Sequence, residues 1–191
     1  MTGAIEFLHP LAGEVPPPSE AHRDRLDGLS ECLRSAETLD EAFDLLGTHL
    51  TKVIPFDRLA LAAVTDDGHQ LKALRVQSSH ALRWEAGDSR PLLGSSIEPM
   101  LREHALRLIH DLKAYQALRP SSLSTKRLIE EGMRSSLTIP LYRDGHPLGV
   151  LFVTSAEPDA YHADHAGLLA ALGPALDEAF ARLIPEPARQ A

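Results

Sequence analysis

The sequence predicts a mixed α/β (α+β) domain: a central, mainly antiparallel sheet with helices from the chain ends on one face and short helices and loops on the other. Three observations carry this prediction. Asp67-Gly68 and Asp144-Gly145 each lie between two short apolar runs, which is the pattern of antiparallel hairpins. Apolar residues recur at helical spacing near both ends of the chain. The elements follow in the order helix, helix, strand, strand, helix, strand, helix, strand, strand, helix, so hairpins dominate and parallel crossovers do not.

Residues 1–19 contain Pro16-Pro17-Pro18, which can neither continue a helix nor sit in a central strand, so the segment reads as a flexible leader. The ordered domain is expected over residues 20–184, with residues 185–191 as a frayed tail. The first helix is predicted over 20–35, where Leu26, Leu29, Cys32 and Leu33 share a stripe. The second starts at Thr38, which with Glu41 forms a capping box, and its apolar face runs Leu39, Ala42, Phe43, Leu46, Leu50 and Val53. Pro55 ends it. Leu59 to Val64 reads as a buried strand, Asp66 to His69 as a turn, and Gln70 to Gln77 as the returning strand. Residues 78–95 read as a broken strand or a loop, with Trp84 and Leu92-Leu93 packing inward.

A short helix follows over 96–105, with Ser95 and Glu98 as a second capping box and Pro99 tolerated in the first turn. Arg107 to Asp111 reads as a strand, 113–123 as a loop, and 124–131 as a helix stopped by Gly132. Ser135 to Tyr142 alternates with period two, turns at Asp144-Gly145 and returns as Leu148 to Ser155. From residue 162 a long helix carries Leu168, Leu169, Leu172, Leu176, Phe180, Leu183 and Ile184, and Pro174 inside it should kink it.

The chain has 191 residues, a 43% hydrophobic fraction and a formal net charge of −8. One domain of this size can bury its own core without disulfides or metals. Without a basic stripe to neutralise phosphates, nucleic-acid binding is excluded. A single cysteine rules out an internal disulfide framework and thiolate-rich metal sites. With no signal-like start and no apolar run of about 20 residues, neither export nor membrane insertion is expected, and the cytoplasm is the expected location.

The second half resembles the GAF domain family. The likeness runs through Glu131-Gly132-Met133-Arg134-Ser135-Ser136-Leu137-Thr138-Ile139-Pro140-Leu141, then Asp144-Gly145-His146-Pro147-Leu148-Gly149-Val150-Leu151 and on to Ser155-Ala156-Glu157-Pro158-Asp159-Ala160-Tyr161. Val53-Ile54-Pro55-Phe56-Asp57-Arg58 also looks like the family's approach to its first strand. The resemblance implies a GAF/PAS-like fold and a sensory or regulatory role. Members bind cyclic nucleotides, bilins, haem, nitrate or amino acids, a few are enzymes, and many have no known ligand.

Several specialised branches lack their signatures here. The family's free methionine sulfoxide reductases rely on cysteine chemistry, whereas Cys32 stands alone on a helix stripe, as a small buried hydrophobe would. Covalent bilin attachment uses a cysteine usually followed by histidine, and no such dipeptide occurs. The cyclic-nucleotide signature of animal phosphodiesterases needs asparagine, and this sequence has none. The iron-based nitric-oxide sensors use several acids and a cysteine, and again the cysteine is missing. No Ser-His-Asp order, Walker loop or HExxH motif is present, so no enzyme is expected.

Alternation places the candidate pocket. If Leu137, Ile139 and Leu141 pack on the terminal helices, Ser136 and Thr138 face the central helices. Met100, Tyr115, Leu128 and Met133 are the candidate walls. Ser136, Thr138, His110 and the amides at Ser95-Ser96 are the candidate anchors, the last favouring a carboxylate or phosphate, with Arg75 and Arg134 as added charge. No cofactor is identified. His110, His104 and the pair His162 and His165 keep a haem- or metal-binding sensor open as an alternative, although histidines at a helix start commonly cap amides. The terminal helices are expected to pair in a homodimer and pass a signal along their length. A ligand-free dimerisation module is the remaining alternative.

Overall fold

The computed structural model describes residues 3–185. Seven strands form one sheet: β1 (Ile5–Leu8), β2 (Arg58–Val64), β3 (Gln70–Ser78), β4 (Ser89–Pro91), β5 (Leu106–Ile109), β6 (Ser135–Arg143) and β7 (His146–Ser155). Their order is β1-β5-β6-β7-β2-β3-β4, and every neighbouring pair is antiparallel. Six helices surround it: α1 (Glu20–Ser35), α2 (Leu39–Leu50), α3 (Ile97–Glu103), α4 (Leu112–Leu118), α5 (Leu123–Glu130) and α6 (Ala163–Leu183). Among the described residues, no helix is long and apolar enough to cross a membrane.

The β6–β7 hairpin sets Leu137 opposite Val153 and Ile139 opposite Leu151. Period-two alternation then gives the sheet two unlike sides. Leu59, Leu61, Leu106, Leu108, Leu137, Ile139, Leu141, Leu151 and Val153 join α1, α2 and α6 in the largest apolar cluster. Their strand neighbours Ala60, Ala62, Val150 and Phe152 join Leu71, Trp84, Ile97 and Met100 on the opposite side. Burying two faces of one sheet under helices is what makes the fold a layered α+β structure. Gly149 is required where β7 meets β2, because a Cβ there would stand 2.2 Å from the Ala62 carbonyl oxygen.

Four local readings need correction. No strand was expected before residue 20, yet β1 pairs with β5, from Ile5 opposite Ile109 to Leu8 opposite Leu106. The prolines lie after this strand, so they do not interrupt it. The following segment crosses α6 at Gly167, where a Cβ would meet the Pro16 carbonyl oxygen at 2.0 Å. The strand expected through Asp111 stops at Ile109, because Asp111 Oδ1 accepts from Lys113 N at 2.9 Å and caps α4. The loop expected over 113–123 is therefore mostly helix, and Leu112 and Tyr115 are its buried pair. At the start of α3 the reciprocal box is absent. Glu98 Oε2 accepts from Gly94 N at 2.8 Å and Ser95 Oγ accepts from Ile97 N at 3.2 Å.

At α2, Thr38 Oγ1 accepts from Glu41 N at 3.2 Å, while Glu41 reaches back to Glu37 N at 2.8 Å. The helix α6 is continuous through Pro174, which lies on its exposed side. The tail expected over 185–191 lies, apart from Pro185, outside the described residues.

Candidate functional site

On the side of the sheet away from α6, the strands and α3–α5 enclose a cavity of about 60 Å³. It adjoins an outer chamber of about 360 Å³ and shares Arg90, Pro91, Ser95, Ile97, Arg107, Ser124 and Thr125 with it. Leu71, Ile97, Ile109, Leu112, Leu128, Trp84 and Phe152 make the inner walls mostly apolar. Apolar walls with a few converging polar groups are the general make-up of small-molecule sites. A larger groove of about 1210 Å³ runs between the β2–β3 and β6–β7 turns, and its rim mixes Asp66, Asp67 and Asp144 with Arg102 and Arg143, as solvated turns do.

Each polar group of the cavity owes its position to strand alternation or to a helix end. Arg58, first residue of β2, points to the cavity side because Leu59 and Leu61 point to the helices. It is 1% exposed, and its Nε lies 2.8 Å from Glu131 Oε2, a charge contact in which the N–H is not aimed at the oxygen. Glu131, just past α5, also accepts from Arg83 N at 2.6 Å and Trp84 N at 2.9 Å. One carboxylate thereby ties the β3–β4 loop to α5. Arg107 takes the cavity side of β5 between Leu106 and Leu108. It donates to Ser96 Oγ at 2.7 Å and Thr138 Oγ1 at 3.0 Å, and its Nε has no partner. Arg90, on β4, lies over the Trp84 ring at 4.3 Å, with Nε and Nη2 unpartnered.

The aromatic wall is built from the same residues. Trp84 meets Phe152 edge-on, with centroids 5.8 Å apart, and lies 5.5 Å from the Arg58 guanidinium carbon. Arg107 stands 5.9 Å from the Phe152 ring. Such cation–π contacts compensate part of the lost hydration of a guanidinium, but not its charge. Burial pushes Arg107 down to about 10, and burial followed by repulsion from Arg127 and Arg58 pushes Arg90 down to about 10. Arg58 is also lowered by burial, with Glu131 opposing the shift. Among the described residues, five arginines line the two chambers (Arg58, Arg90, Arg107, Arg119 and Arg127) and no aspartate or glutamate does.

The structure brings together only some of the residues singled out from sequence. Ser95 and Leu128 line the inner cavity, and Ser95, Ser96 and Tyr115 line the outer chamber. Thr138 stands behind Arg107 as its acceptor. Met100 and Met133 are fully buried in neighbouring apolar clusters. Ser136 is buried with an unpartnered hydroxyl and lines neither chamber. His110 lies elsewhere, 3.1 Å from Glu6 and 3.4 Å from Asp159. Arg75 pairs with Asp40 of α2, and Arg134 with Asp111 at 3.0 Å. Of the two amides expected as anchors, Ser95 N donates internally to Leu92 O at 3.1 Å, and the flanking Gly94 N and Ile97 N are taken by Glu98 and Ser95.

Sequence reasoning missed Arg58, Arg90, Arg107, Trp84 and Phe152. Arg107 left a signal, since a lone cation within Leu106-Arg107-Leu108-Ile109 must face the side opposite the two leucines. Among the described residues, no group of three or more His, Cys, Asp or Glu side chains could hold a metal ion. Cys32 lies on α1, across the sheet from the cavity.

A family model described as the GAF domain matches residues 36–181. No curated protein matches the sequence. Among solved structures, the chromophore-binding domain of the bacteriophytochrome RpBphP3 from R. palustris is similar with a TM-score of 0.67 and 13% identity, over 88% of this chain and 64% of that one. The chain thus spans a little under two thirds of that domain. The GAF domain of a two-component sensor histidine kinase from Bacillus halodurans is similar with a TM-score of 0.64 and 20% identity, over 75% of this chain and 94% of that one. The free methionine-R-sulfoxide reductase of Neisseria meningitidis, solved with its substrate, is similar with a TM-score of 0.66 and 18% identity, over 92% of this chain and 96% of that one.

Proposed function

The chain belongs to the GAF domain family, and from that premise we propose that it is a sensory, regulatory module that binds a small ligand between its sheet and α3–α5. The observation that carries this reading is the cavity itself: apolar walls, an outer chamber, and buried N–H groups of Arg90 and Arg107 that nothing among the described residues satisfies. Buried polar groups in folded proteins are nearly always paired, so those left over commonly await a ligand or water.

Signalling follows from the two-sided sheet. Phe152 lines the cavity, while its neighbours Leu151 and Val153 belong to the cluster that includes α6. A ligand that shifts β7 therefore shifts the seat of α6. In this reading α6 and α1 carry the change outward, and the protein works as a homodimer through these helices. Their apolar stripes are buried within the chain, so the dimer would form through their outward sides, where Arg34 of α1 pairs with Glu178 of α6 at 3.5 Å. A cytoplasmic location belongs to the same proposal and rests on composition.

We read the site as one for binding rather than catalysis. Among the described residues, those lining the two chambers include neither a cysteine, a histidine nor a carboxylate to serve their hydroxyls as a base. The test is a thermal-shift and light-scattering series with nucleotides, amino acids, nitrate and organic acids. A ligand that binds only the folded chain raises its melting temperature. Stabilisation removed by filling the cavity with Leu128→Trp supports the proposal. A dimer that no ligand stabilises points instead to a ligand-free dimerisation module.

A further inference from the structure

We infer that the ligand of this cavity is a small organic acid with an apolar body, its carboxylate or phosphate group turned inward onto Arg107 and Arg90. The inference rests on reading the cavity as a ligand site and adds the ligand's chemistry.

The argument is one of charge. In a chain of net charge −8, the two chambers gather five arginines and no acidic residue. Arg107 is 6% exposed and has no carboxylate partner among the described residues. Glu131, the carboxylate behind the cavity wall, is committed to Arg58 and to the amides of Arg83 and Trp84. A guanidinium taken from water without a counter-charge is unfavourable, and an entering anion removes that penalty. Ser96 and Thr138 hold the Arg107 fork in one orientation without neutralising it, and its Nε remains free. A fixed planar fork suits the paired oxygens of a carboxylate or phosphate.

Size and walls set the rest of the molecule. A volume of about 60 Å³ has room for an acid group and a few carbons. Trp84, Phe152, Ile97 and Leu128 would face that body. The remainder would extend into the outer chamber, where Arg119, Arg127 and Ser122 accept a second polar or anionic end. A cationic ligand would meet repulsion throughout.

The experiment titrates the full chain with benzoate, phenyl phosphate, their neutral counterpart benzamide and the cation benzylamine. It reads the melting temperature and the fluorescence of Trp84, the single tryptophan and part of the cavity wall. The expected result is that benzoate or phenyl phosphate changes both signals. Affinity should then fall at least about tenfold in Arg107→Gln and in Arg90→Gln, and stay unchanged in Arg75→Gln. The tighter of the two acids identifies the acid group. Arg90 is only half-buried, so Arg90→Gln decides the matter if Arg107→Gln does not fold. Benzamide binding as tightly as benzoate would overturn the charge argument and leave the ligand site standing. Acid binding indifferent to both arginine variants would overturn it as surface adsorption. A cavity that takes none of the four probes at millimolar concentration would overturn the inference together with the ligand-site reading.

Discussion

Arg107→Met tests whether the buried cation serves a ligand or the fold. Burial lowers the Arg107 pKa from its ordinary guanidinium value to about 10. At about 1.36 kcal/mol per unit, this puts roughly 3 kcal/mol against the charged form in the folded state. Methionine keeps an unbranched apolar stem and removes the charge. The substitution also removes the hydrogen bonds to Ser96 and Thr138, each charge-assisted and worth about 1.5 kcal/mol or more. The two contributions roughly cancel, so the melting temperature should stay within about 2 °C of the wild type. The assay is calorimetry with a parallel urea titration, in chloride buffer free of carboxylate and phosphate, so that no anion occupies the wild-type site. The urea midpoint and slope should both stay close to the wild-type values. Adding a binding acid should then place the wild type clearly above the variant, because only the wild type gains from it. A fall of more than about 4 °C in the variant, without any ligand, would show that Arg107 is a structural requirement and refute the reasoning.

Glu131→Gln should act in the opposite direction, since it leaves Arg58 buried without its partner. A loss of about 3 kcal/mol or more, a drop of roughly 6–12 °C in a melt followed by circular dichroism, is expected. Gly167→Ala should displace the leader, because the new Cβ would stand 2.0 Å from the Pro16 carbonyl oxygen. Limited proteolysis should then cleave residues 9–19 faster while the rest of the chain stays protected. His165 has a pKa below its ordinary 6.5, first from burial and then from repulsion by His162. The unfolded chain therefore takes up that proton first, and stability falls as pH drops below 6.5 towards the lowered folded value. Protonation also removes the Nδ1 that accepts from His162 N at 3.3 Å. His165→Gln keeps an acceptor without a titrating ring, so urea midpoints measured from pH 7 to pH 5 should decline less than in the wild type.

Much of the fold was legible because it rests on local rules. The stripe Leu26, Leu29, Leu33 and the cap at Thr38 mark α1 and the start of α2 within a residue or two, whereas α2 ends at Leu50, before the expected Val53. The Asp144-Gly145 turn and the alternation beside it mark β6 and β7 and divide their side chains between two faces. Strand β1 was not legible, because four residues near the chain end gain strand character only when β5 is there to pair with. Asp111 was misread because an aspartate after a short apolar run looks the same whether it closes a strand or caps a helix.

The candidate site was half legible. Ser95, Ser96, Tyr115, Leu128 and Thr138 follow from alternation and from the position of the central helices. Arg58, Arg90 and Arg107 do not, since they lie on three strands separated by 32 and 17 residues of sequence. A positive charge in a sequence ordinarily signals a solvated surface. Its meaning changes only when the chain closes over it, and here a single carboxylate, Glu131, stands beside Arg58.

By itself, the sequence determined the family, the cap at Thr38, the central hairpin and the separation of the sheet into two unlike sides, because periodicity and turn chemistry act between residues close together in the chain. Tertiary structure alone decided which cations are desolvated, which one Glu131 neutralises, and where the first strand docks. Desolvation and charge pairing depend on distances between residues far apart in sequence, and those distances exist only in the folded chain.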